Sequence, residues 1–132
     1  MGFFKDIFGN NDSDNAAESM IKWNDLTHMK QLDEIKEESA VQPVLIFKHS
    51  TRCAISRMAL KNFEKDYSID IAEAKPYYLD LLEHRDISNE IASRFGVMHQ
   101  SPQLIILVDG QPVYSASHSD IDAEVAKNKI SV

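Results

Sequence analysis

The spacing of apolar residues changes period several times along the chain. In residues 27–38, THMKQLDEIKEE, Met29, Leu32 and Ile35 recur near helical spacing behind Thr27, a candidate N-cap, which predicts a helix. Pro43 then opens a short, branched, fully apolar run from Val44 to Phe47, as expected of a strand covered on both faces. After Cys53, the residues Ile55, Met58, Ala59, Leu60 and Phe63 form a stripe of period near 3.6 that continues to about Tyr67, predicting a helix with those side chains inward. YYLDLL at 77–82 is a second buried-strand candidate. Ser88 is expected to cap a helix with Ile91, Ala92 and Phe95 inward, stopped at Gly96. QLIILV is a third strand, and Asp109-Gly110 predicts a hairpin that folds PVYSAS back beside it. A last helix is expected from about Asp120 to Lys129, acidic at its start and basic at its end as the helix dipole favours.

The order α, β, α, β, α, β, β, α predicts an α/β fold with a mixed central sheet between helices. At 132 residues and 43% hydrophobic content the chain supports one core, placed over residues 21–132. Residues 1–20 read as an N-terminal appendage and linker. There Phe3, Phe4, Ile7 and Phe8 share one side of a short helix, and NNDSDN breaks it. That apolar side is expected to pack on the domain or in a dimer contact, ahead of membrane contact by residues 3–8. Asp6 stands where a myristoylation pattern needs Ser or Thr.

Charge and cysteine usage narrow the function. A net charge of −7 with acidic residues spread along the chain excludes a nucleic-acid footprint. No apolar run approaches a membrane span, and no signal-peptide pattern opens the chain, so a cytoplasmic location is expected. The single cysteine excludes an internal disulfide and a cysteine-ligated zinc site, and His84, His99 and His118 lack ligand spacing, so no metal is expected.

Cys53 falls between a strand end and a helix start, where ligands and chemistry gather in α/β sheets. Unpaired N–H groups of the first helical turn, Arg52, Lys48, a protonated His49 and a Ser56 hydroxyl turned toward the sulfur would each favour thiolate over thiol. Ser101-Pro102 marks the entrance of the QLIIL strand, and a cis bond there would turn the Ser101 backbone toward Cys53. Trp23 reads as a core residue. A phosphatase-type loop would need Arg at position 59, where the chain has Ala59, and CAIS fits an iron–sulfur monothiol loop poorly.

Strand, C-x-x-S at a helix start, serine-proline before the next-to-last strand, hairpin and terminal helix together resemble the thioredoxin-like superfamily over roughly residues 22–130. Within it, FKHSTRCAIS is similar to the YtxJ-type monothiol bacilliredoxins, whose K-H-S-x-x-C-P-I-S signature maps onto Lys48, His49, Ser50, Cys53, Ile55 and Ser56. Ala54 stands where that family often has proline, a change that loosens the first turn only slightly. The resemblance implies a thioredoxin-like three-layer α/β/α fold and a monothiol oxidoreductase that strips a low-molecular-weight thiol from S-thiolated proteins. Bacillithiol is the implied co-substrate, and no bound cofactor is implied. Cys53 and Ser56 are the implied catalytic pair; Thr51, Arg52, Ala54, Ser101 and Pro102 are the implied substrate-binding residues, and His49 is a candidate for proton transfer. A thioredoxin-like binding module without redox turnover, docking a partner at the apolar rim near Ala54 and Pro102, is the alternative reading.

Overall fold

The computed structural model describes residues 21–131. The sheet-and-helix expectation for these residues holds; the N-terminal appendage lies outside them. The five strands are β1 (Asn24–Asp25), β2 (Val44–His49), β3 (Lys75–Asp80), β4 (Gln103–Val108) and β5 (Gln111–Ser117). The helices are α1 (Gln31–Glu38), α2 (Ala54–Asp66), α3 (Arg85–Phe95) and α4 (Ala123–Ser131). Strand order in the sheet is β1-β3-β2-β4-β5. The first three are parallel, and β4 and β5 are antiparallel to their neighbours.

All six residues of β2 are buried, because this central strand is covered on both faces. Leu45 and Phe47 join Leu104, Ile106, Phe63, Ala123 and Ala126 beneath α2 and α4. Val44 and Ile46 join Ile105, Leu107, Leu32, Ile35, Ile87 and Ile91 beneath α1 and α3. Two helical layers thus sandwich the sheet, each core built from alternate residues of the same strands.

Several boundaries differ from the sequence expectation. β1 is only two residues long, too short to leave a periodic signal. α1 starts at Gln31, not at Thr27, because the Gln31 side chain itself accepts the backbone N–H groups of Thr27 and His28 (2.8 and 2.9 Å). Met29 therefore precedes the helix and is 37% exposed. β3 begins at Lys75 and ends at Asp80, leaving Leu81 and Leu82 to the following turn. His84 occupies the N-cap of α3, while Ser88 lies buried in its second turn with its hydroxyl 3.4 Å from His99 Nδ1. The last helix begins at Ala123, capped by Asp122, whose carboxylate accepts the N–H groups of Glu124 and Val125. Trp23 is half-buried at the edge of the core, its ring 6.0 Å from that of Phe47, and its indole N–H donates to Glu64 (2.7 Å).

Asp109 and Gly110 both take positive φ (+55° and +76°), the left-handed pair that a two-residue hairpin turn requires. Ser39, at the end of α1, holds this turn by accepting the Asp109 N–H at its carbonyl and the Gly110 N–H at its hydroxyl. Gly96 ends α3 at φ +67°, with open space where a side chain would start. Gly96→Ala should therefore cost about 1 kcal/mol through backbone conformation alone, read as a lower urea midpoint at unchanged slope.

Candidate functional site

The C-terminal edge of β2 builds the site. Cys53 is the N-cap of α2, extended at φ −101° and ψ 123°, half-buried, with no side-chain hydrogen bond across the helix start. Its carbonyl accepts the first helical bond from Arg57 and its N–H donates to Ser50 (3.2 Å). Negative charge developing on the sulfur faces the positive end of the α2 dipole. Thr51, Arg52 and Ala54, flanking it, are exposed.

Ser56 is fully buried, and its hydroxyl turns inward. Its oxygen accepts the Ser50 N–H (3.0 Å) and lies 2.8 Å from His49 Nδ1. The expected hydroxyl-to-sulfur bond is thus replaced by a link to the loop and the imidazole, because position 56 is on the face of α2 that packs against the sheet. Burial holds the His49 pKa below its ordinary value, opposed by Asp80 and Glu64 and aided by Arg57. His49 is therefore neutral near pH 7, which corrects the expectation of a cation beside the thiol. One ring nitrogen of a neutral imidazole is an acceptor.

Lys48 does not join the thiol either. Alternation along β2 sends it to the α1 and α3 face, opposite α2, where it is 0% exposed and its Nζ has no hydrogen-bond partner. Burial lowers its pKa to about 8. Across the strand stands Gln103, whose Nε2 donates to the Met98 carbonyl (3.0 Å) while its Oε1 is also unpartnered. His99 lies close enough for Lys48 to help burial lower the His99 pKa. The sequence signal for this cluster was strand periodicity carried two residues beyond Phe47.

Ser101-Pro102 is cis. The Lys48–Gln103 pairing places it beside His49 and Ser50, so the proline loop and the cysteine loop share one edge of the sheet. The Pro102 carbonyl accepts the His118 N–H (3.1 Å), tying the end of β5 to that edge.

The α2 stripe is rotated from the expected one. Ser56, Phe63 and Tyr67 are buried and Ala59 and Leu60 partly so, whereas Ile55 and Met58 are 63% and 61% exposed. With Ala54, Ala59, His118 and Ile121 they line an apolar groove of about 410 Å³ beside Cys53. A smaller polar cleft of about 300 Å³ adjoins the other side of the loop, between Thr51–Arg52 and the turn after β3. A further cleft of about 660 Å³ is bordered by Asn24, Pro76 and Tyr67 near the opposite sheet edge. No thiol lines it. Among the described residues no His, Cys, Asp and Glu side chains group to hold a metal ion, and no helix is long and apolar enough to cross a membrane.

A family model described as monothiol bacilliredoxin BrxC matches residues 24–125. A solved structure, provisionally assigned as an oxidoreductase with a thioredoxin fold, is 32% identical over 80% of this chain and 90% of its own, with a TM-score of 0.67. Malassezia sympodialis thioredoxin (17% identical, 86% and 91% covered, TM-score 0.65) and a poplar thioredoxin h mutant (17%, 86% and 83%, TM-score 0.62) share the fold.

Proposed function

Because the chain belongs to the monothiol bacilliredoxin family, whose thiol–disulfide redox chemistry it shares, we propose that Cys53 removes a low-molecular-weight thiol from S-thiolated proteins. The observation that carries this reading is the placement of the sole cysteine at the N-cap of α2, with a buried serine where a resolving thiol would stand. The Cys53 thiolate attacks the small-thiol sulfur of the mixed disulfide. The new bond joins Cys53 to the small thiol, the old S–S bond breaks, and the substrate cysteine leaves as thiolate and takes a proton from solvent. A second small-thiol thiolate then attacks that sulfur, releasing Cys53 and a small-molecule disulfide. With no second thiol in the chain, the intermediate waits for that partner.

Bacillithiol is the small thiol this family reading favours, and Thr51, Arg52, Ala54, Ser101 and Pro102 border the sulfur in it. Ser56 acts as a positioning residue: it fastens the cysteine loop through the Ser50 N–H and couples it to neutral His49, which can accept a proton. Incubating reduced protein with a bacillithiol mixed-disulfide protein and following both by intact mass tests the reading. A one-to-one adduct on Cys53 together with a freed substrate supports it; an unmodified Cys53 with an untouched substrate rejects it. Equal rates with glutathione and bacillithiol adducts would leave a general monothiol oxidoreductase in its place. Ser56→Ala should lower stability by about 1–3 kcal/mol, since the half-buried Ser50 N–H and the buried His49 Nδ1 both lose their partner, and should slow exchange; urea melts and stopped-flow exchange check the two effects separately.

A further inference from the structure

We propose that His118 is the proton donor of the exchange step, its imidazole facing the leaving sulfur of the substrate protein and carrying to it the proton that solvent supplies. The inference rests on the reading of Cys53 as a thiol that attacks mixed disulfides, and it adds a residue to that step.

The placement follows from strand register. Lys48, Gln103 and Ser117 face one another across β2, β4 and β5. The next row outward, at the edge that carries the cysteine loop, is His49, Pro102 and His118, and the His118 N–H donates to the Pro102 carbonyl (3.1 Å). Strand alternation turns this row toward α2, the face opposite Lys48. There His49 meets Ser56, and His118 lines the apolar groove with Ala54, Ile55 and Met58. Ala54 is one Cα step, about 3.8 Å, from Cys53.

The backbone of His118 is held in an uncommon shape. Its φ of +54° lies in the left-handed region, which residues with a side chain enter at a cost. Among the described residues the other non-glycine at positive φ is Asp109, which the hairpin turn requires. At His118 the bend opens a 3₁₀ turn, His118–Asp120, that leaves the sheet and packs on α2. Pro102 fixes the His118 N–H, and the His118 carbonyl accepts the Ile121 N–H (3.3 Å). Gly or Asn would take this φ with less strain, and an outlier of this kind beside a reactive group points to a use for its side chain.

The chemistry of the groove assigns that use. Among the described residues lining it, His118 alone carries a side chain that exchanges protons near neutral pH. His49 is 4% exposed and its Nδ1 is engaged by Ser56, whereas His118 is open to solvent. In sulfur displacement the three sulfurs lie nearly in line, so the outgoing sulfur is farthest from Cys53, at the rim where the groove opens. As the Cys53 thiolate bonds to the small-thiol sulfur, the electron pair of the breaking S–S bond passes to the substrate sulfur. That sulfur takes the N–H proton of the His118 imidazolium, and neutral His118 regains a proton from water.

The test compares two disulfides that put the same group on Cys53. Bis(2-hydroxyethyl) disulfide expels an alkyl thiolate, which a proton donor helps; attack on the alkyl sulfur of 2-hydroxyethyl 4-nitrophenyl disulfide expels a weakly basic aryl thiolate, which needs none. The ratio of the two rates, followed by intact mass, cancels any change in the attacking sulfur. His118→Asn keeps a side chain that tolerates left-handed backbone and should slow the dialkyl reaction about tenfold while leaving the aryl reaction nearly unchanged. His118→Gly, which takes the same φ freely, should give the same ratio. A ratio unchanged in both variants, whether the two rates hold or fall together, overturns the assignment and leaves the exchange reading intact. Wild-type protein that reacts with neither disulfide overturns the exchange reading and the role of His118 with it.

Discussion

Cys53→Ser will reduce release of the small thiol from a mixed-disulfide protein to the uncatalysed background, and Ser56→Cys will change the product instead of the rate alone. A seryl oxygen at position 53 is not a thiolate and cannot form the new S–S bond, so the adduct on the protein must disappear with the activity. At position 56 the consequence follows from helix geometry. Residues three apart at a helix start lie within the Cα separation that a disulfide spans. A second thiol there would resolve the Cys53 adduct internally, so intact mass should show a chain short of two hydrogens in place of a chain carrying the small thiol. The exchange must give up the hydroxyl's links to the Ser50 N–H and His49, so this variant should also be less stable by about 1–3 kcal/mol. A persistent small-thiol adduct on Ser56→Cys would show that sulfur at 56 cannot reach Cys53. Activity surviving Cys53→Ser would remove the thiol chemistry altogether and favour the binding-module reading.

What the sequence made legible was whatever a local pattern encodes. Val44–Phe47 reads as a covered strand, Asp109-Gly110 as a hairpin, and Cys53 as a thiol at a helix start, since each depends on a few adjacent residues. What it hid depends on partners distant in the chain. Ile55 and Met58 fit the helical period of an inward stripe, yet the face that meets the sheet is the one through Ser56 and Phe63, about 100° per residue away. Apolar character alone does not distinguish an inward residue from the lip of a groove. Ser56 is engaged instead by His49, two residues beyond the expected strand end at Phe47, a partner that no local pattern around the cysteine indicates. Arg85 carries no local signal at all. It joins Arg52 only because the turn after β3 returns to the cysteine loop, a juxtaposition made by parallel β2–β3 pairing.

Lys48 is the place where the fold pays most visibly for its sequence, and replacing it with methionine should raise stability by about 3 kcal/mol at pH 7. The ammonium is wholly buried, beside Gln103 and near His99, with no acceptor on its Nζ. Its pKa of about 8 against an ordinary 10.5 means that the charged form is disfavoured by about 3 kcal/mol in the folded chain. Methionine keeps the length and apolar stem of the side chain and removes the unpartnered charge. The direction with pH is fixed by proton counting. Between about pH 8 and 10.5 the unfolded chain holds the Lys48 proton and the folded chain has lost it, so stability rises with pH across this window. Below pH 8 both states carry the proton and the full penalty is present. Tyr67, pushed up to about 12 by burial, acts in the opposite sense above pH 10, since the unfolded chain then loses its proton first. The comparison therefore belongs between pH 7 and 9.5. Urea unfolding of the parent should show a rising midpoint over that range, and Lys48→Met should start higher and stay nearly flat. A variant that is less stable than the parent at pH 7, or that keeps the same rise, would mean that Lys48 is not the buried cation responsible, and that the Lys48–Gln103 pair is satisfied within the native core.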